Sequence, residues 1–240
     1  MNIALIFAGG TGQRMNTRSM PKQFLELHGK PIIIYTLEHF ENHPQIDGIV
    51  VVCIADWIDY FSKLLDKFHI TKVSAIVPGG GNGQESIYNG LLKINEQYSE
   101  DSIVLIHDGV RPIIDEEIIS QNIMSVRKYS SAVTISPATE TVVTLGENQC
   151  LQTIIDRNQC CIAKAPQSFI LKDILCAHEQ AKAEGKLNFI DSASLMRDYG
   201  FDLHTVVGSS DNIKITTPPD FYIFRALIDS RENMQIMGIR

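Results

Sequence analysis

No apolar run in the 240 residues approaches the ~20 that a membrane-spanning helix needs, so no such span is expected. The opening stretch, Met1-Asn2-Ile3-Ala4-Leu5, lacks the basic segment that begins a secretory signal. The expectation is a cytoplasmic protein. Cysteine is scarce. Cys53, Cys150, Cys160, Cys161 and Cys176 are odd in number and show no Cys-x-x-Cys spacing. That pattern fits neither a disulfide framework nor a thiolate zinc site, and it points to free thiols in a reducing compartment. A basic surplus is missing too: 21 Lys and Arg stand against 28 Asp and Glu, a net charge of −7. Such a chain is a poor partner for nucleic acid or an anionic membrane. Cations that hold a phosphate must therefore be gathered locally. With 44% hydrophobic and 20% charged residues the chain is not disordered. Its length allows one large domain, or one domain with an appendage, and a core that needs no disulfide or metal.

Short Ile- and Val-rich runs alternate with segments of helical spacing. Ile3–Ala8, Gly48–Ile54, Val73–Val77, Ile103–Ile106 and Ala132–Ile135 read as strands buried on both faces. Ile32–His43, Ala55–Phe68, Ser86–Tyr98 and Asp115–Tyr129 carry apolar residues at helical intervals. This alternation implies an α/β fold, Rossmann-like, with a mostly parallel sheet and helices on both faces. Ligands of such sheets sit beyond the carboxyl ends of the strands. After Pro137 the rhythm breaks. Thr141–Leu145 and Gln152–Ile155, joined by Gly146-Glu147-Asn148-Gln149, read as a protruding β-arm at about residues 139–160. An arm with so little of its own domain to pack on is expected to reach a second copy, giving a homodimer. Past Pro166 the expectation is a helix over Leu171–Glu184, a short helix over Ser192–Tyr199, a strand over Leu203–Val207 and a last helix from Pro219.

Three loops follow predicted strands. The first, Ala8-Gly9-Gly10-Thr11-Gly12-Gln13-Arg14-Met15, lets backbone N–H groups approach a phosphate or a base. It is neither standard phosphate loop. Met15 stands where the dinucleotide pattern needs its third glycine, and Gly29-Lys30 runs into Pro31 rather than Ser or Thr. A tight turn would need the same glycines. Arg14, Arg18 and Lys22, crowded together in an acidic chain, favour a polyphosphate over a bare turn. The second loop, Pro78-Gly79-Gly80-Gly81-Asn82-Gly83-Gln84-Glu85-Ser86, has few side chains and ends at a helix start, so its backbone is its working surface. A plain connector remains the alternative. The third, His107-Asp108-Gly109-Val110-Arg111-Pro112, sets a carboxylate at a strand tip, where Mg²⁺ is commonly held together with substrate phosphates. An Asp108–Arg111 ion pair is compatible with that role.

Further on, Asn212-Ile213-Lys214-Ile215-Thr216 places a lysine in an apolar, strand-like run. Its ammonium needs a partner, either a bound phosphate or a nearby carboxylate. Arg157, at the base of the arm, poses the same question. Other features carry less. His39 and His43 lack the zinc-helix pattern and read as exposed imidazoles near a helix end. Adjacent Cys160 and Cys161 suit packing, Trp57 reads as a packing residue, and no Gly-x-Ser-x-Gly elbow supports a serine hydrolase.

Taken together, Ala8-Gly9-Gly10-x-Gly12-x-Arg14-Met15, Pro21-Lys22-Gln23, His107-Asp108-x-x-Arg111-Pro112, Asp156-Arg157, Ala165-Pro166-Gln167-Ser168-Phe169 and Asn212–Thr216 resemble the sugar-phosphate cytidylyltransferases. The likeness runs over nearly the whole chain in the right order. Within that family the branch that uses ribitol phosphate, which serves cell-surface polymer synthesis, is the nearer. Its marks are the spacing from Arg14 to Lys22, Met20–Leu25, Lys30–Ile34, Asp56-Trp57-Ile58 and Ile162–Pro166. The branch that uses methylerythritol phosphate, for isoprenoid precursors, is the alternative. Gly83, Ala165 and Ile190–Ser194 depart from the common family pattern.

The resemblance implies a reaction of CTP with a polyol phosphate, Mg²⁺ as the metal, and no covalent enzyme intermediate. It implies that Phe7, Ala8, Gly9, Gly10, Gly80, Gly81, Asn82, Gly83, Gln84, Glu85, Ser86 and Asp108 hold CTP, with Ser86 near the cytosine. Arg14, Lys22, Arg157 and Lys214 would be catalytic, and Asp108 would meet the metal. Arg111, Thr141, Arg157 and Lys214 would bind the acceptor, with Thr141 and Arg157 reaching a neighbour's site. Two other classes fit less well. A nicotinamide dehydrogenase is opposed by Met15, and a silent nucleotide-binding subunit by the presence of Arg14, Lys22 and Lys214.

Overall fold

β-Branched residues lose little by being extended, and the densest such runs in the chain form the middle of a sheet. The computed structural model describes residues 1–10 and 20–237, with side chains through residue 234. Strand β1 (Asn2–Ala8) lies between β4 (Gly48–Cys53) and β6 (Ile103–Asp108), parallel to both. The sheet extends to β5 (Val73–Pro78) on one side. On the other side it continues through β10 (Cys161–Ile170), β7 (Ser131–Pro137) and β11 (Thr205–Val207). Only β10 runs against the rest among the described residues.

Alternate residues of β1 feed two cores. Ala4 and Ile6 pack with α1 (Ile32–Asn42), α2 (Ile58–Lys67) and α4 (Glu116–Tyr129). Ile3 and Leu5 pack with α3 (Gly83–Gln97), α5 (Leu171–Ala183) and α6 (Ser192–Asp198). A third, smaller cluster joins Leu27 of β2 (Glu26–Leu27) and Ile32 to Val110, Ile215 and Phe224. Phe224 belongs to α7 (Pro218–Met237), and β2 pairs with β3 (Lys30–Pro31).

The layered α/β architecture matches the sequence expectation, with instructive differences. Strand β5 is half-exposed rather than buried on both faces, because it is the sheet's outer strand. Strand β10 was not foreseen: Pro166 lies inside it. The chain leaves β7 at Pro137, makes the arm, and returns at the same edge of the sheet, which forces an antiparallel neighbour. Pro166 is tolerated because the β10–β7 register shifts between Ala163 and Gln167. Asn212–Thr216 is an irregular segment, not a strand. The arm itself is the antiparallel pair β8 (Val142–Leu145) and β9 (Leu151–Ile155), with Leu145, Leu151 and Ile154 exposed. Cys160 and Cys161 at its base are half-exposed and exposed rather than packed.

Helix α1 also corrects a reading. His43 is buried and bonded to Ser120 Oγ at 3.0 Å, and His39 Nε2 donates to the Pro112 carbonyl at 3.1 Å. The α1 face that carries them packs under the β6–α4 loop, so neither is an exposed helix-end imidazole. Trp57 does pack, stacked on Phe24 at 5.2 Å. Among the described residues no helix is long and apolar enough to cross a membrane.

Candidate active site

Because β1, β4, β5 and β6 are parallel, their carboxyl ends share one edge, and the glycine loops converge there. Gly9 and Gly79 meet so closely that a Cβ on Gly9 would lie 3.7 Å from the Gly79 Cα. A Cβ on Gly79 would lie 3.2 Å from Ser86 Oγ. Gly79 N–H donates to the Cys53 carbonyl at 2.9 Å, and Gly109 N–H to that of Phe7 at 2.8 Å, fixing both loops to strand ends. Ser86, buried, donates its hydroxyl to the Asn82 carbonyl at 2.7 Å and accepts Gly80 N–H at 2.9 Å. Asn82 caps α3 by accepting Glu85 N–H at 2.9 Å, and Glu85 Oε2 accepts Gly81 N–H at 2.7 Å. The N–H groups of Gly79, Gly80 and Gly81 are thus all used within the chain, which fixes the shape of the second loop but does not leave them free as the N–H surface expected from the sequence.

Beside it opens a cavity of about 280 Å³. Phe7, Gly83, Gln84, Asp108, Arg111 and Lys214 line it, so the structure brings together residues from three of the predicted segments. Asp108 settles the question posed by Lys214. Its Oδ1 lies 2.7 Å from Lys214 Nζ and its Oδ2 2.8 Å from Arg111 Nε. Burial alone would raise the acid's pKa, but the charges of Lys214 and Arg111 overcome it and pull it down to about 2. His107, fully buried, donates Nε2–H to the Arg111 carbonyl at 3.1 Å; burial pushes its pKa down to about 4, so the ring is neutral.

Lys22 is buried and donates to the Ile215 carbonyl at 2.9 Å, which sets it at the edge of the same irregular segment. Its neighbour Gln23 donates to the Ala8 carbonyl at 2.7 Å, tying Lys22 to the end of β1. Arg14 and Arg18 lie outside the described residues. Arg157, on the arm, donates to the Thr139 carbonyl at 3.2 Å; neither it nor Thr141 lines the cavity of its own chain.

Two features escaped sequence reasoning. One is Lys164, a cavity-wall residue. It is a lysine in an apolar run, Ile162–Phe169, the same signal that singled out Lys214. The other is a strap, residues 186–191, tied to the second glycine loop. Gln84 donates to the Lys186 carbonyl at 3.0 Å and accepts Phe189 N–H at 3.0 Å; Asn82 donates to the Leu187 carbonyl at 3.1 Å. At its far end Asp191 caps α6 and accepts from Gln167 Nε2 at 2.8 Å. No single residue signals such a tie in the sequence.

What this edge can do chemically is bind anions: Arg111, Lys164 and Lys214 line a cavity that also holds the acids Asp108 and Asp191. The family model described as IspD, 2-C-methyl-D-erythritol 4-phosphate cytidylyltransferase, matches residues 2–230. A protein of Vibrio parahaemolyticus named ribitol-5-phosphate cytidylyltransferase is 55% identical over 99% of this chain and 100% of its own length. One from Clostridium botulinum named 2-C-methyl-D-erythritol 4-phosphate cytidylyltransferase is 38% identical over 95% of this chain and 97% of its own. The crystal structure of 4-diphosphocytidyl-2C-methyl-D-erythritol synthase from Anaerococcus prevotii superposes with a TM-score of 0.82 at 26% identity, covering 95% of this chain and 96% of that one. The chain belongs to the IspD family of cytidylyltransferases.

Proposed function

We propose that the protein transfers the cytidylyl group of CTP to D-ribitol 5-phosphate, giving CDP-ribitol and pyrophosphate. The observation that carries the choice of acceptor is the 55% identity, end to end, with a relative named for ribitol 5-phosphate, against 38% for one named for the methylerythritol phosphate. A phosphate oxygen of the acceptor attacks the α-phosphorus of CTP, that P–O bond forms, and the bond to the β-phosphate breaks. The attacking oxygen is already an anion, so no side chain has to accept a proton. Catalysis is then alignment and charge neutralisation.

The chain's residues divide that work by position. The end of β1 through Gly10 and the loop from Gly80 to Ser86 receive CTP, with Ser86 near the base. Lys22, and Arg14 where the sequence places it, meet the triphosphate. Lys214 and Arg111, held in place by Asp108, face the acceptor phosphate. Mg²⁺ at this site would take an oxygen of Asp108, an ionised donor at a strand tip whose two oxygens Lys214 and Arg111 hold before substrate binds, together with substrate phosphates. Bound there, the ion would neutralise the triphosphate and make its α-phosphorus more electrophilic. The exposed leucines and isoleucine of the arm support a homodimer in which Thr141 and Arg157 reach the partner's cavity. The lack of a membrane-spanning helix among the described residues supports work in the cytoplasm. Incubation with CTP, Mg²⁺ and D-ribitol 5-phosphate should yield a phosphorus NMR spectrum containing the paired resonances of a pyrophosphate diester. Unchanged CTP would contradict the assignment.

A further inference from the structure

Charge in the cavity wall does not balance. Arg111, Lys164 and Lys214 contribute three cations, and Asp108 and Asp191 two carboxylates. Asp191 is spoken for: its Oδ1 accepts Ser194 N–H at 2.8 Å and its Oδ2 the Gln167 amide at 2.8 Å. Asp108 already holds both Lys214 and Arg111. Among the described residues Lys164 has no carboxylate within ion-pair distance. Its ammonium donates to two backbone carbonyls, those of Ser210 at 2.9 Å and Asn212 at 3.2 Å. Arg111 donates to the same Asn212 carbonyl at 2.8 Å, so two like charges share one acceptor. Burial first and the Arg111 charge second hold the Lys164 pKa below the ordinary lysine value, though Asp211 offsets part of this. An unpaired cation pressed against another cation is costly unless an anion arrives.

We infer that Lys164 is a binding residue for the phosphate of the acceptor, a phosphomonoester dianion that it grips together with Arg111 and Lys214. The inference rests on the polyol-phosphate reading of the cavity. A dianion supplies the charge that the wall lacks, and three ammonium or guanidinium donors match its three terminal oxygens. Lys164 approaches from β10 and Lys214 from the segment before α7, so the phosphate would be held from two sides of Asp108's guanidinium partner. The carbonyl contacts hold the ammonium beside Arg111 before substrate binds.

The test compares wild type with K164Q and K164R in steady state, varying CTP and polyol phosphate separately. K164Q keeps a donor for the two carbonyls and loses the charge. Its KM for the acceptor should rise about 10–100-fold, with kcat and the KM for CTP within about threefold of wild type. K164R should recover most of the loss. A K164Q acceptor KM within twofold of wild type would overturn the inference. So would a rise confined to the KM for CTP, or a loss that K164R does not recover. Calorimetric titration with inorganic phosphate forms a second arm that needs no turnover. Binding should be weaker in K164Q by a similar factor, and equal binding would also overturn the inference. If wild type turns over neither polyol phosphate, the reading of the acceptor fails, while the phosphate titration still decides the role of Lys164.

Discussion

The ammonium of Lys214 lies 2.7 Å from Asp108 Oδ1, joining the tip of the central strand β6 to the irregular segment before α7. Arg111 holds the other oxygen, and the carboxyl group titrates near 2. The acid therefore remains ionised throughout the pH range in which an enzyme works. Asp108→Asn removes the charge that anchors both cations. Turnover should fall roughly 10²–10³-fold, as when one preorganised charge-stabilising group is lost, while the far-ultraviolet circular dichroism stays unchanged. A folded variant with turnover within threefold of wild type would leave Asp108 as a structural ion-pair partner only.

Gln84 uses both ends of its amide on the strap, and the strap carries Phe189, Ile190 and Asp191 to the cavity. Gln84→Ala loses two hydrogen bonds at about 0.5–1.5 kcal/mol each. The acceptor KM should rise about tenfold, more than the KM for CTP. A rise confined to the KM for CTP would place Gln84 in the nucleotide site alone.

Acid should destabilise the fold well above the range where carboxylates protonate. His107 and His178 are buried, and burial drops both to about 4. The unfolded chain binds their protons near pH 6.5, the folded chain only near 4. Their contribution is thus complete above pH 6.5 and is lost as pH falls toward 4. At pH 5 each histidine should account for about 2 kcal/mol of lost stability. Urea melts from pH 7 to 4.5 check this: His178→Phe should flatten the pH dependence. A slope identical to wild type would mean that His178 takes up its proton equally in the folded and unfolded states.

Strands β8 and β9 leave Leu145, Leu151 and Ile154 exposed. Replacing residues 141–156 by a short Gly-Ser turn should convert a dimer to a monomer in multi-angle light scattering. It should also abolish turnover, because Thr141 and Arg157 would no longer be presented to a partner's cavity. An unchanged dimer would place the main contact elsewhere.

Much of this layout was legible in the sequence for a physical reason. The strands that build the site, β1, β4 and β6, are largely apolar runs, and the loops after β1 and β5 are rich in glycine where the Gly9 and Gly79 backbones meet closely. Asp108, Lys214 and Ser86 were readable as a strand-tip acid, a lysine in apolar company and a helix-start serine. Strand β10 was not readable, because Pro166 argues locally against a strand and only the chain's return to the same sheet edge overrides it. Lys164 was missed along with it. The Gln84 ties to the strap were also invisible: they join residues 102 and 105 apart in sequence, and nothing local encodes so distant a contact.

The most direct test is pyrophosphate release from CTP and Mg²⁺, with D-ribitol 5-phosphate and 2-C-methyl-D-erythritol 4-phosphate supplied in turn. Both acceptors offer the phosphate that Lys214, Arg111 and Lys164 hold, so discrimination must come from hydroxyls and the methyl branch. A pocket that bonds a hydroxyl rejects an analogue lacking it by roughly 10⁴ or more, whereas one methyl is distinguished only about 10–200-fold. The expected result is a kcat/KM for ribitol phosphate at least 10²-fold, on the order of the methyl effect, above that for the methylerythritol phosphate. An equal or higher kcat/KM for the methylerythritol phosphate would contradict the ribitol assignment.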